Sequence, residues 1–129
     1  MSLSSLKTLF PLLLVTLAGC SSGNSEQQKI EAIAKHRADI LAADLPIEHG
    51  PLKVIQSRSH ANTVELVMLY NGEKPAAELV NSSVKFYCNN SEIRSNLDLG
   101  VEYQITMRNA RGKLLVSQHI SADSCSDVK

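Results

Sequence analysis

Tryptophan is absent from the chain, and phenylalanine and tyrosine number only two and three. A base-stacking platform or an aromatic sugar-binding cleft needs more rings than that. Net charge is missing too, because Lys plus Arg and Asp plus Glu each count 13. A nucleic-acid binder displaces counterions with a basic surplus, so that class is excluded. No apolar run reaches the ~20 residues that a membrane-spanning helix needs. Catalytic signatures are lacking as well: there is no Gly-x-Ser-x-Gly elbow, phosphate loop, His-Glu-x-x-His or Cys-x-x-Cys. What remains is 129 residues with 43% hydrophobic and 20% charged side chains, the size and make-up of one globular domain.

The N-terminus is a different kind of segment. Lys7 is the only charge in the first 25 residues, and an apolar stretch from Leu9 to Ala18 follows it. A basic start, a short apolar core and small residues after it describe a secretory signal peptide. Its end, Leu17-Ala18-Gly19-Cys20, resembles the lipobox of bacterial lipoproteins, where the thiol is diacylated and the chain is cut just before it. Residues 1–19 are therefore expected to be a lipoprotein signal peptide, and residues 20–25 the lipidated Cys20 and a polar tether. Several acyl chains on one residue, each buried methylene contributing ~0.8 kcal/mol, would anchor the protein durably. Ser21 follows Cys20 where an Asp would resemble an inner-membrane retention signal, so the expected destination is the periplasmic face of the outer membrane. That route makes the lipoprotein sorting machinery a partner.

Three cysteines is an odd number, and assigning Cys20 to lipid leaves Cys88 and Cys125. In an oxidising compartment, two cysteines in one small domain are expected to form a disulfide. A metal or redox pair would want Cys-x-x-Cys or an adjacent His, and neither is present.

Along residues 26–129 the pattern is that of one domain. Ser25 is placed to cap a helix, with Gln28 completing a capping box. Ile30, Ile33, Ala34, Ala38, Leu41 and Leu45 recur at spacings of three and four, which predicts a helix from Glu26 to about Leu45, ended by Pro46. The period then becomes two. Strands are predicted for Leu52 to Arg58 and Thr63 to Tyr70, with a turn around His60-Ala61-Asn62. Pro75 suits a helix start, and Leu79, Val80, Val84, Tyr87 and Cys88 are spaced for a helix face. Three further strands are predicted: Glu92 to Leu97, Val101 to Arg108, and Lys113 to Ile120. The expectation is an α+β fold, order α-β-β-α-β-β-β, with an antiparallel sheet of five strands flanked by helices.

No enzyme, cofactor or metal site is expected. His36 and Asp39 could meet across one helix turn, His49 and His60 fall in connections, and His119 alternates into a strand. None has a nucleophile or ligand partner at useful spacing.

Several stretches recur together in a known family. Leu45-Pro46-Ile47 after the first helix, Thr63-Val64-Glu65-Leu66-Val67-Met68, Cys88, Gly100-Val101-Glu102-Tyr103-Gln104-Ile105-Thr106 and Ser124-Cys125 appear in that order. The chain resembles the type II secretion pilotins of the AspS (GspS-beta) kind over nearly all of the domain. That resemblance implies a five-stranded sheet with helices and one disulfide. It also implies a function: binding the C-terminal segment of a secretin and carrying it to the outer membrane for channel assembly. The segment becomes helical on binding, a helix-in-groove mode.

The strand from Val64 to Tyr70 is apolar on both faces except at Glu65. A strand covered on one side alternates more cleanly. Val67 and Leu69, beside Ile55 and Leu115, are therefore the expected partner-binding residues, and an Asp at Val67 or Leu69 is expected to abolish binding. The competing reading is a small periplasmic lipoprotein that inhibits a hydrolase through a loop such as His49-Gly50-Pro51 or Asn109 to Gly112.

Overall fold

The computed structural model describes residues 22–126. The expected signal peptide, Cys20 and Ser21 lie outside them. The order of elements is α1 (Ser22–Ala43), β1 (Ile47–His49), β2 (Leu52–His60), β3 (Thr63–Tyr70), α2 (Ala76–Asn89), α3 (Ser91–Leu99), β4 (Glu102–Arg108) and β5 (Leu114–Ile120), closed by a 3-10 turn at Ala122–Cys125. The five strands lie side by side in sequence order.

Helix α1 follows from its stripe. Ala34 and Ala38 are wholly buried, and these small side chains bring the helix axis close to the sheet. Ser57 of β2 donates its hydroxyl to the Ala38 carbonyl at 2.9 Å, fixing that approach. Ile30, Ile33 and Leu41 pack on the core along the same stripe. The helix begins earlier than predicted, so Ser25 sits inside its first turns instead of capping it, and the expected tether is helical from Ser22. It ends at Ala43, and the chain passes through a cis Leu45–Pro46 bond into β1. Strand β1 replaces the turn expected around His49, pairing Ile47 with Val54 and His49 with Leu52.

Strands β2 and β3 form the expected hairpin. In β3 the alternation is clean: Val64, Leu66, Met68 and Tyr70 are buried, and the residues between them are half-buried. Helix α2 carries Val80 and Cys88 into the core. Its Ser82 and Ser83 are tolerated because their hydroxyls bond back to the Glu78 and Leu79 carbonyls, at 3.1 and 2.9 Å.

The segment from Glu92 to Leu97, predicted as a strand, is helix α3. Ile93 and Leu97 are its buried residues, four apart. A spacing of four satisfies both a two-residue and a 3.6-residue period, so these two positions cannot distinguish strand from helix. The ends decide it. The Asn90 side chain accepts the Ile93 N–H at 3.0 Å as N-cap, and Gly100 stops the helix at φ 113°. A Cβ at Gly100 would also come 3.3 Å from Ile30 Cδ1 of α1. Gly100→Ala is therefore expected to cost about 1–2 kcal/mol in chemical denaturation, and an unchanged midpoint would contradict this.

Making α3 a helix also corrects the sheet. With two helices and no strand between β3 and β4, the chain crosses back over one face, and β4 runs parallel to β3, Val64 opposite Tyr103 and Met68 opposite Met107. The other three pairings are antiparallel. The strand count of five holds, with β1 in place of the segment that became α3.

All three helices pack on the face carrying Val64, Leu66, Tyr103, Ile105 and Met107, in one core. Cys88 at the end of α2 is bonded to Cys125 of the 3-10 turn, with Cα atoms 5.4 Å apart and both residues buried. That bond ties the C-terminus to the helical layer.

Candidate partner-binding groove

Helix α1 lies over β2 and β3, whereas α2 packs toward β5, α3 and the 3-10 turn. The two helices do not close fully over the sheet between them. The result is a groove of about 350 Å³. Its floor is Val54, Leu66, Met68 and Tyr103 from three strands. Arg37 and Leu41 of α1 form one wall, and Phe86 and Tyr87 of α2 the other. Leu45 and Ile47, from the link into β1 and β1 itself, stand at the mouth beside His49. Phe86 is 60% exposed, an aromatic ring at the rim with the core contributing little to hold it. Among the described residues this is the largest exposed ring, the kind of side chain that dominates binding when a partner covers it.

The floor has an electrostatic feature. The Tyr87 ring stacks on Tyr103 at 5.1 Å between centroids. Burial pushes the Tyr87 phenol up to about 12, the neighbouring Tyr103 adds to the shift, and Arg37 opposes it. Tyr87 is thus protonated across the physiological range. Arg37 Nη1 reaches Glu92 of α3 at 3.0 Å, pinning α1 to α3 across the end of the groove.

A larger cleft, about 530 Å³, lies at the far end of the sheet near Asn71, Pro75 and Arg111. It is shallow and walled by turns, so it offers little apolar enclosure.

The four residues expected to bind the partner lie elsewhere and do not form one patch. Val67 and Leu69 stand on the sheet face that carries no helix among the described residues, both half-buried. Ile55, 41% exposed, is the unpaired residue of a bulge beside Val67's partner Gln56. Leu115 is unpaired at a second bulge, two strands away. Thr106 and Arg108 of β4 separate it from Val67 and Leu69 in the register. Leu114, opposite Arg108 and 49% exposed, adds one more apolar side chain to that face, and the rest of it is largely polar. Arg58 pairs with Glu65 at 2.9 Å, Gln104 donates to Ser117 at 2.6 Å, and His119 Nε2 lies 3.0 Å from Glu102. His36 and Asp39 do not pair, because Asp39 takes Lys35 at 2.7 Å. Among the described residues no His, Cys, Asp and Glu group is placed to hold a metal ion.

Sequence reasoning did not find the groove. One signal was present: Phe86 falls off the stripe formed by Leu79, Val80, Val84 and Tyr87, leaving an aromatic ring with no place in the core.

The α+β domain thus leaves an apolar groove open between its helices. Its residues 26–125 match the family model described as the type II secretion system pilotin, S protein, and the chain belongs to that family. Among solved structures it is similar to the pilotin EpsS of the Vibrio vulnificus type 2 secretion system, at 42% identity and a TM-score of 0.75, over 79% of this chain and 96% of that one. It is equally close in fold to the type II secretion pilotin AspS of Vibrio cholerae, at 39% identity and a TM-score of 0.75, over 81% of this chain and all of the other. A protein of Pseudomonas aeruginosa shares the fold at 11% identity, with a TM-score of 0.68 over 83% of this chain and 99% of that one. No curated protein matches the chain.

Proposed function

We propose that this pilotin binds the C-terminal segment of a type II secretion secretin in the groove between α1 and α2, and carries it to the outer membrane on acyl chains attached to Cys20. The observation that carries the reading is the groove floored by Leu66, Met68 and Val54 beside the exposed Phe86. A groove walled by two helices over a sheet suits a third, amphipathic helix with apolar anchors at i, i+3 and i+4. The face bearing Val67 and Leu69 is a competing seat, but its charged and hydrogen-bonded ladder suits water better than an apolar guest. Catalysis has no part in this function.

Lipidation supplies the transport. No described helix is long and apolar enough to cross a membrane, and the attachment in this reading is the acyl chains on Cys20. Cys20→Ala is expected to leave the protein soluble in the periplasm or unprocessed, and Ser21→Asp to hold it in the inner membrane. Fractionation with mass spectrometry checks both, and unacylated wild-type protein in the periplasmic fraction would overturn this arm. For the binding arm, a peptide of about 20 residues from the C-terminus of the secretin encoded with this protein is expected to gain helix when titrated with the domain. Circular dichroism reads that gain. A wild-type domain that binds no such peptide sinks the secretin reading and favours a hydrolase inhibitor.

A further inference from the structure

Leu99 is 56% exposed at the end of α3, and it belongs neither to the groove nor to the open face of the sheet. It lines a shallow cleft of about 240 Å³ between α1 and α3, with Ile30 and Ile33 of α1 half-buried beside it. The rim carries both signs of charge. Lys29 offsets Glu26, and Asp98 takes Arg94 at 3.2 Å. A small apolar patch with such a rim suits the boundary between lipid headgroups and acyl chains as well as it suits a protein.

The place of the cleft in the fold decides between them. The Asn62 side chain donates to the Gly100 carbonyl at 2.9 Å, so Leu99 lies at the end of the sheet that carries the β2–β3 turn. Glu26, near the start of α1, lines the same cleft. Further along α1, Ala38 meets Ser57 in the middle of β2. Leu45, Ile47 and His49 follow at the groove mouth, at the opposite end of the domain. Cys20 precedes the first residue of α1 by two positions, which span at most about 7 Å. From there to Glu26 the helix rises about 6 Å. Acyl chains on Cys20 would therefore enter the bilayer within about 15 Å of the Leu99 cleft along the helix axis.

We propose that the lipoprotein stands end-on on the bilayer, with Leu99 in the headgroup layer and the groove mouth held clear of it. This rests on acylation of Cys20, as in the reading above, and adds the face of the domain that meets the lipid. An anchor already confines the domain to the surface, so a weak apolar contact suffices to set its orientation. Lys29 adds a long apolar stem with a cation at its tip, which reaches lipid phosphates without burying its charge. Strand β2 runs from Leu52, paired with His49 at the mouth, to His60 at the lipid end, about 26 Å away. A guest segment thus reaches the groove from the aqueous side, and the anchor does not obstruct it.

The chain contains no tryptophan, so one introduced ring reports its own surroundings. Leu99→Trp and His49→Trp are made in the acylated protein. Both positions are exposed, so both variants are expected to melt close to wild type. Each is reconstituted in phosphatidylcholine vesicles with brominated acyl chains. Leu99→Trp is expected to emit at shorter wavelength than its unacylated Cys20→Ala form and to lose about half its intensity to the bromines. His49→Trp, about 26 Å further out, is expected to keep a water-like emission and lose less than about a tenth. The inference is overturned if Leu99→Trp is unquenched in vesicle-bound protein. It is also overturned if the two rings are quenched alike, as a domain tumbling on its anchor would give. Vesicle flotation reads the anchor separately. Protein that carries no acyl group and stays out of the vesicle fraction fells the acylation reading, and this inference with it.

Discussion

Phe86→Asp is expected to reduce capture of the secretin segment by at least about 30-fold while leaving the domain folded. Phe86 is 60% exposed, so its removal opens no cavity in the core. Its ring nonetheless borders the floor of Leu66 and Met68, where a partner helix would bury it. Losing one aromatic anchor that a guest covers commonly costs about 2 kcal/mol or more, about 30-fold in affinity, and a carboxylate in its place adds desolvation. Val67→Asp and Leu69→Asp make the comparison. Both residues stand on the opposite face, next to Thr106 and Arg108 in the register. They are expected to bind the peptide as wild type does, with only a modest loss of stability. Fluorescence anisotropy with a labelled peptide reads all three. Loss of binding at Val67 or Leu69, with normal binding in Phe86→Asp, would move the seat to the open face of the sheet.

Cys88→Ser is expected to destabilise the domain by roughly 3–4 kcal/mol, because the lost bond closes a loop of about 36 residues. For a domain with a total stability of ~5–10 kcal/mol this is a large share. It corresponds to a fall in melting temperature on the order of 15–25 °C. Both cysteines are buried, so the variant also leaves a hydroxyl in an apolar place. The structural consequence is specific. The bond holds the 3-10 turn Ala122–Cys125 against the end of α2, and α2 carries Phe86 and Tyr87 into the groove wall. Loosening that end should therefore weaken peptide binding along with stability. Wild type in reducing agent should melt like the variant, whereas the variant should ignore the reductant. Calorimetry with and without dithiothreitol decides this, and a variant melting within a few degrees of oxidised wild type would contradict it.

Much of the fold was legible in residue order because its signals are local. The alternation of Val101, Tyr103, Ile105 and Met107 marks a one-faced strand in any context, and all four are buried. The stripe from Ile30 to Leu41 does the same for α1, and the pairing of Cys88 with Cys125 followed once Cys20 was set aside as the lipid acceptor. Where the local pattern was degenerate, reading it failed. Ile93 and Leu97, four apart, fit either period, and only the Asn90 cap and Gly100 stop distinguish them. The parallel pairing of β3 with β4 then followed from that helix, so one ambiguous spacing altered the sheet.

The placement of Val67 and Leu69 on the face opposite Met68 was also determined by the sequence, since a strand turns alternate side chains to opposite sides. What it could not say was that the face under the helices would hold a groove of its own. Helix α1 rests on β2 and β3 and α2 toward β5 on the same face, and the gap between them depends on where two distant segments dock. Arg37, Met68, Phe86 and Tyr103 come together only across that gap. No period within any one of their segments records it, because a groove is the space that packing elsewhere leaves unfilled.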